Sequence, residues 1–164
     1  MSLIPRWRPT ARILLADPDG RLLLFSAGAA DVERWWLTPG GGVHRGETVR
    51  AAAARELREE TGIARSQAEL GPVVATSTSW WQPESSRPVL GAHAFFFVRA
   101  PSSQIDTGGQ EEFERTFITG HHWWTVAELR TAAERIAPPG LAGLLERLLR
   151  GDIPDRPVRL PRHA

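Results

Sequence analysis

Between Gly41 and Ile63 this chain sets a glycine-rich turn against a helix with three glutamates on one side, a combination that few folds accommodate. The stretch opens Gly41-Gly42-Val43-His44-Arg45-Gly46-Glu47 and, after seven further residues, continues Arg55-Glu56-Leu57-Arg58-Glu59-Glu60-Thr61-Gly62-Ile63. Glu56, Glu59 and Glu60 stand at i, i+3 and i+4, so they leave one helical turn in the same direction. Like charges at that spacing destabilise a bare helix by about 0.2–0.5 kcal/mol per pair. A hard divalent cation removes the repulsion, because Mg2+ takes carboxylate oxygens while keeping waters that a phosphate can replace. The segment therefore predicts a metal-dependent phosphate site.

The rest of the stretch supports a helix of defined length. Thr48 suits the N-cap, Gly62 the left-handed position after the last turn, and Ile63 the hydrophobic contact that follows. Val49, Ala53 and Leu57 recur at four-residue spacing and form a narrow apolar stripe beside the acidic one. Arg55 lies four residues before Glu59 and can hold its carboxylate, which fixes a ligand's orientation. Glu47 falls where the helix dipole favours negative charge.

Strands are expected at 11–16 and 21–25, joined by the turn Asp17-Pro18-Asp19-Gly20 into a hairpin. Residues 26–33 read as a loop and Trp35-Trp36-Leu37 as a short strand feeding the glycines. Further strands are expected at 73–79, 92–99 and 121–124, with loops at 81–88 and 101–109. Thr125 and Glu128 form a capping box for a helix to about residue 135, and 141–150 is a last amphipathic helix after Pro138-Pro139-Gly140. Residues 1–151 are read as one domain and 152–164 as a Pro/Arg-rich tail, flexible or loosely docked.

Composition narrows the partners. A 24% charged fraction with 41% hydrophobic residues is that of a soluble globular chain. Every basic side chain other than histidine is arginine, yet the net charge is only +1 with no basic run, so neither nucleic acid nor membrane is an expected partner. There is no cysteine, no N-terminal signal pattern, and no apolar run long enough to span a bilayer, which makes a cytoplasmic location the expectation.

The glycine-to-isoleucine stretch resembles the Nudix box, G-x5-E-x7-R-E-U-x-E-E-x-G-U with U aliphatic. Gly41, Glu47, Arg55, Glu56, Leu57, Glu59, Glu60, Gly62 and Ile63 fill all nine constrained positions. The resemblance implies a MutT-like Nudix hydrolase of α+β class, with a mixed β-sheet sandwiched between helices (α/β/α). It implies Glu59 and Glu60 as metal ligands, Glu56 as a further ligand or general base, and Arg55 in the catalytic group. Gly41 is assigned to the substrate turn, where a backbone carbonyl of Gly40 or Gly41 joins the metal. Some family members draw a further glutamate from outside the box; Glu111, Glu112 and Glu114, read as lying in a loop before the final strand, are candidates here, and Glu112 is taken. The expected cofactor is Mg2+, with Mn2+ as the alternative. The expected partner is a nucleotide-type small molecule, and a homodimer is a reasonable assembly.

Three tryptophan pairs invite a base-stacking reading, but adjacent strand residues face opposite ways, so at least one member of each pair is expected to be structural. Trp80 and Trp81, in or beside a loop past the box, are the substrate-stacking candidates. His121 and His122 are adjacent in a strand and cannot easily share one ion, so they are read as structural or surface residues. The function that follows is metal-dependent hydrolysis of a nucleoside diphosphate linked to another moiety. The alternative is a Nudix-fold sensor that binds a nucleotide without cleaving it.

Overall fold

Alternation along the first strand organises the molecule: Ala11, Ile13 and Leu15 enter one apolar core, while Leu14 and Ala16 enter another. A strand buried on both faces must lie inside a sheet covered on both sides. The computed structural model describes residues 4–28, 33–84 and 86–163. Its elements, in chain order, are β1 (Arg6–Ala16), β2 (Leu22–Ala27), β3 (Trp35–Leu37), β4 (Gly40–Gly42), α1 (Val49–Thr61), β5 (Val73–Trp81), β6 (Val89–Arg99), α2 (Glu112–Phe117), β7 (Ile118–Trp124), α3 (Val126–Thr131), β8 (Arg135–Ala137), α4 (Leu141–Leu149) and β9 (Val158–Arg159). A short 3-10 turn covers Ala68–Leu70.

Among the described residues the strands form one mixed sheet in the order β8-β3-β2-β1-β6-β5-β9, with β4 added to β1 and β7 to β2. β1 and β6 run parallel along the whole of β1, and β5 returns antiparallel to β6. The expected α+β class, with a mixed sheet between helices, is what the cores display. Ala52, Ala53 and Leu57 of α1 cover one face together with Phe25, Phe96 and Trp123. Leu141, Leu144, Leu145 and Leu148 of α4 cover the other with Leu24, Phe95 and Trp124. Neighbours Trp123 and Trp124 thus serve opposite cores.

α1 follows its caps. The Thr48 hydroxyl accepts from the Ala51 N–H at 3.0 Å, and the helix ends at Gly62 with φ 75°. The hairpin between β1 and β2 is narrower than its turn suggests: Ala16 pairs with Leu22, whereas Thr10, Ala11 and Arg12 pair with the glycines of β4. That substitution matters for the site, because it seats the glycine turn directly on the central strand.

Several segments differ from their sequence reading. Of the loop expected at 26–33, residues 29–32 lie outside the described residues. Strand β5 runs on through Trp80 and Trp81, so both belong to the sheet and not to a loop. The helix after Thr125 stops at Thr131, and Arg135–Ala137 instead pairs in parallel with β3. The segment beginning at Glu111 forms a helix, with Glu111 as its N-cap and Glu114 completing a capping box. The tail is docked: β9 pairs with β5, Leu160 is buried in the α4-side core, and the Leu160 N–H donates to the Thr76 carbonyl at 2.8 Å. Its leucine outweighs its prolines and arginines, because β5 is an edge strand in need of a partner.

Candidate metal and nucleotide site

The acidic face of α1 packs against β4 beneath the central strand. Two of its glutamates are almost out of solvent, Glu56 at 4% and Glu60 at 2% exposure. Glu60 Oε2 accepts a hydrogen bond from the Gly40 N–H at 2.6 Å, which ties the helix to the turn. The turn has to be glycine. A Cβ on Gly40 would lie 2.1 Å from the Ala11 carbonyl oxygen, and its φ of 134° is one side chains rarely adopt. At Gly41 a Cβ would lie 2.4 Å from Glu56 Oε1, so this position keeps the carboxylate against the backbone.

Arg55 is the hub of the acidic group. Its Nε donates to Glu47 Oε1 at 2.9 Å and its Nη2 to Glu47 Oε2 at 3.0 Å, a two-pronged clamp. Nη1 donates to Glu56 Oε1 at 2.8 Å and to Glu59 Oε2 at 3.1 Å, and Nη2 also reaches the Gly42 carbonyl at 3.0 Å. Those hydrogen bonds hold Glu47 down at about 2 and raise the Arg55 guanidinium above its ordinary range.

Glu56, Glu60 and Glu114 each bring a carboxylate oxygen within 4.8 Å of the others. Burial pushes all three above the ordinary carboxyl range, Glu60 furthest; the charges of Glu56 and Glu114 add to the shift of Glu60, those of Glu114 and Glu59 to that of Glu56, and those of Glu111 and Glu59 to that of Glu114. Arg12, half-buried beside them, donates to the carbonyls of Thr38 and Gly40 at 3.2 and 3.1 Å. Desolvation lowers its pKa, and Glu60 and Glu56 oppose that shift. One oxygen of the cluster, Glu56 Oε2, is buried with no hydrogen-bond partner. Buried polar atoms are rarely left so, and three converging carboxylates with an unpaired oxygen are the donor set a hard divalent cation takes.

The cluster gathers some of the expected residues and leaves others outside it. Glu56 and Glu60 come together as the box implies. Glu59 stands aside, its side chain 31% exposed and tied to Arg55. From the segment at 111–114 it is Glu114 that joins the cluster; Glu112, chosen on sequence grounds, is an exposed residue opening α2. The capping box explains this: Glu114 Oε2 accepts from the Glu111 N–H at 2.8 Å, which anchors its carboxyl at the helix start. That E-x-x-E spacing was the available signal, masked by reading the segment as a loop.

Next to the cluster lies a cavity of about 510 Å3. Trp35, Trp80, Trp81, Arg8, Arg12 and Arg135 contribute to its wall, and among the described residues none that lines it is acidic. Arg8 stacks over Trp81 at 5.7 Å and Arg135 over Trp35 at the same distance. The two substrate-stacking candidates, Trp80 and Trp81, therefore share one cavity. His93, which sequence reading passed over as one residue within a strand, forms part of the same wall.

A sequence model described as the NUDIX domain matches residues 6–148. An RNA pyrophosphohydrolase of Roseobacter denitrificans is 39% identical over 74 residues, covering 45% of this chain and 44% of that protein. The chain thus spans less than half the length of the first curated relatives it matches. An RNA pyrophosphohydrolase of Pseudomonas putida is 25% identical over 160 residues, covering 89% of this chain and 96% of the relative. The crystal structure of a MutT protein from Methanosarcina mazei superposes with a TM-score of 0.64 at 17% identity, covering 92% of this chain and 99% of that one, a likeness of fold.

Proposed function

The chain belongs to the Nudix family, and from that premise we propose that it is a divalent-metal-dependent pyrophosphohydrolase acting on a nucleotide-type phosphoanhydride. The observation that carries this reading is the convergence of Glu56, Glu60 and Glu114 around the unpartnered Glu56 Oε2. Mg2+, or Mn2+ in its place, would be held by these three carboxylates. When bound, such a cation neutralises the charge of the anhydride oxygens and lowers the pKa of water.

The residues of the chain supply the rest. Hydrolysis joins the oxygen of one water to phosphorus and breaks one P–O bond of the bridge, leaving two phosphate products. A carboxylate of the cluster takes the water's proton. Arg55 holds Glu56, Glu59 and Glu47 in fixed positions, so the ligands need little reorganisation. The glycine turn brings backbone close enough to shape the phosphate end of the site. The cavity, aromatic and arginine-bearing and lined by no acidic side chain among the described residues, suits a base with phosphates attached. The relatives named for RNA extend the substrates worth testing to a 5'-triphosphorylated oligonucleotide.

The test is a panel of nucleoside triphosphates, dinucleoside polyphosphates, ADP-ribose and that oligonucleotide, each with Mg2+, with Mn2+ and with excess chelator. At least one is expected to be cleaved, chelator abolishing turnover and Glu60→Gln lowering it by about a hundredfold or more with the fold intact. A wild-type rate in Glu60→Gln would overturn the assignment. Tight binding of a panel member without cleavage would make the protein a sensor.

A further inference from the structure

The last residues of the chain complete the wall of the cavity. After Leu160 enters the core, the His163 N–H donates to the Thr78 carbonyl at 3.2 Å, and the Trp80 N–H donates to the His163 carbonyl at 3.3 Å. The guanidinium of Arg162 lies over the Trp80 ring at 5.6 Å. The backbone of this segment is thus held along β5, and His163 comes to line the cavity beside Trp80.

The imidazole of His163 is placed by a second, immobile imidazole. His93 is hydrogen-bonded at both nitrogens, Nδ1 with Thr10 Oγ1 at 2.5 Å and Nε2 with Ser79 Oγ at 2.7 Å. His163 stacks on it, with centroids 5.3 Å apart and planes inclined by 26°. Burial holds His163 neutral, down at about 4, and nearby Arg12 and Arg135 add to the effect. A neutral imidazole carries one N–H and one acceptor nitrogen. Nδ1 of His163 is buried with no hydrogen-bond partner.

Among the described residues, side chains whose chemistry is to accept are few in the cavity lining. Arginine and tryptophan side chains only donate. Both nitrogens of His93 are taken up by the Thr10 and Ser79 hydroxyls, which fix the ring in place. Among the described residues, His163 Nδ1 is the one side-chain nitrogen or oxygen of the cavity lining that is buried without a partner. The edge of a nucleobase presents N–H groups as well as acceptors, and a site that meets only the acceptors discriminates weakly.

We propose that His163 is a specificity-determining residue, whose imidazole accepts a hydrogen bond from an N–H on the edge of a nucleobase seated against Trp80 and Trp81. This rests on the reading of the cavity as the nucleotide site of a hydrolase. The base lies in the cavity with its phosphates directed to the carboxylate cluster, and the C-terminal segment is part of the substrate site.

Binding of nucleoside 5'-monophosphates, which have no anhydride to cleave, tests this on the full chain through quenching of tryptophan fluorescence. AMP, GMP, CMP and UMP are compared with purine riboside 5'-monophosphate, whose base has no N–H. The wild type is expected to bind at least one of the four more tightly than purine riboside monophosphate. His163→Ala should weaken that nucleotide about tenfold and leave purine riboside monophosphate unchanged, with His163→Gln recovering part of the loss through its amide oxygen. Unaltered binding in His163→Ala, an equal loss for every ligand, or a wild type that binds none of the four would each overturn the proposal. Chelator-sensitive cleavage and its loss in Glu60→Gln decide the hydrolase reading separately.

Discussion

At the scale of single residues, the acidic group depends on one guanidinium. Arg55 serves Glu47, Glu56 and Glu59 at once, and its two-pronged grip on Glu47 matches the planar fork of arginine and not the point charge of lysine. Arg55→Lys is therefore expected to fold yet lose about tenfold or more in kcat/KM and in metal affinity; an unchanged kcat/KM would remove Arg55 from the machinery. The raised carboxyls set a pH dependence. A carboxyl whose folded pKa is raised favours the folded state below its unfolded value near 4.5, and that contribution is lost as pH rises through the folded pKa. Metal must displace those protons, so the rise in melting temperature produced by saturating Mg2+ should grow as pH rises from the ordinary carboxyl range to above it. A metal effect that is flat across that range would contradict a site built from these three groups. Much at this scale was legible in the sequence: the spacing of Glu56 and Glu60, the capping of α1 and the glycine of the turn are local facts. Glu114 was not chosen over Glu112, because which carboxyl reaches α1 depends on how α2 docks, and nothing local to that segment encodes it.

At the scale of elements, the two helices that cover the sheet do different work. α4 buries Leu144, Leu145 and Leu148 on the face away from the carboxylates, whereas α1 buries Leu57 next to Glu56. Leu148→Ala should cost about 2–5 kcal/mol in urea unfolding while leaving the kcat of the folded fraction near wild type. Leu57→Ala should cost a similar amount and also depress kcat, since the cavity it leaves lies next to Glu56 of the carboxylate cluster. Equal effects of the two on kcat would contradict the division. Long helices and alternating strands were readable because their periodicity is written along the chain. The short strands β8 and β9 and helix α2 were not. Two or three residues carry no period, and each of these strands exists only because a distant edge, β3 or β5, offers it hydrogen bonds.

At the scale of the whole molecule, the chain brings the start of β1, the end of β5, α2 and its last residues around one cavity beside the box. Arg8, Trp80, Phe113 and His163 meet there from four separate segments. This is why two carboxylates of the cluster could be read from one stretch of 23 residues, while Glu114 and the cavity could not. Among the described residues no helix is long and apolar enough to cross a membrane. The central claim is that three carboxylates from two distant segments hold one divalent cation. Calorimetric titration of Mn2+ into the wild type, Glu60→Gln, Glu114→Gln and Glu112→Gln tests it most directly. The account predicts that Glu60→Gln and Glu114→Gln weaken binding about tenfold or more and that Glu112→Gln binds as the wild type does. Weakened binding in Glu112→Gln with wild-type binding in Glu114→Gln, or identical isotherms for all four proteins, would contradict it.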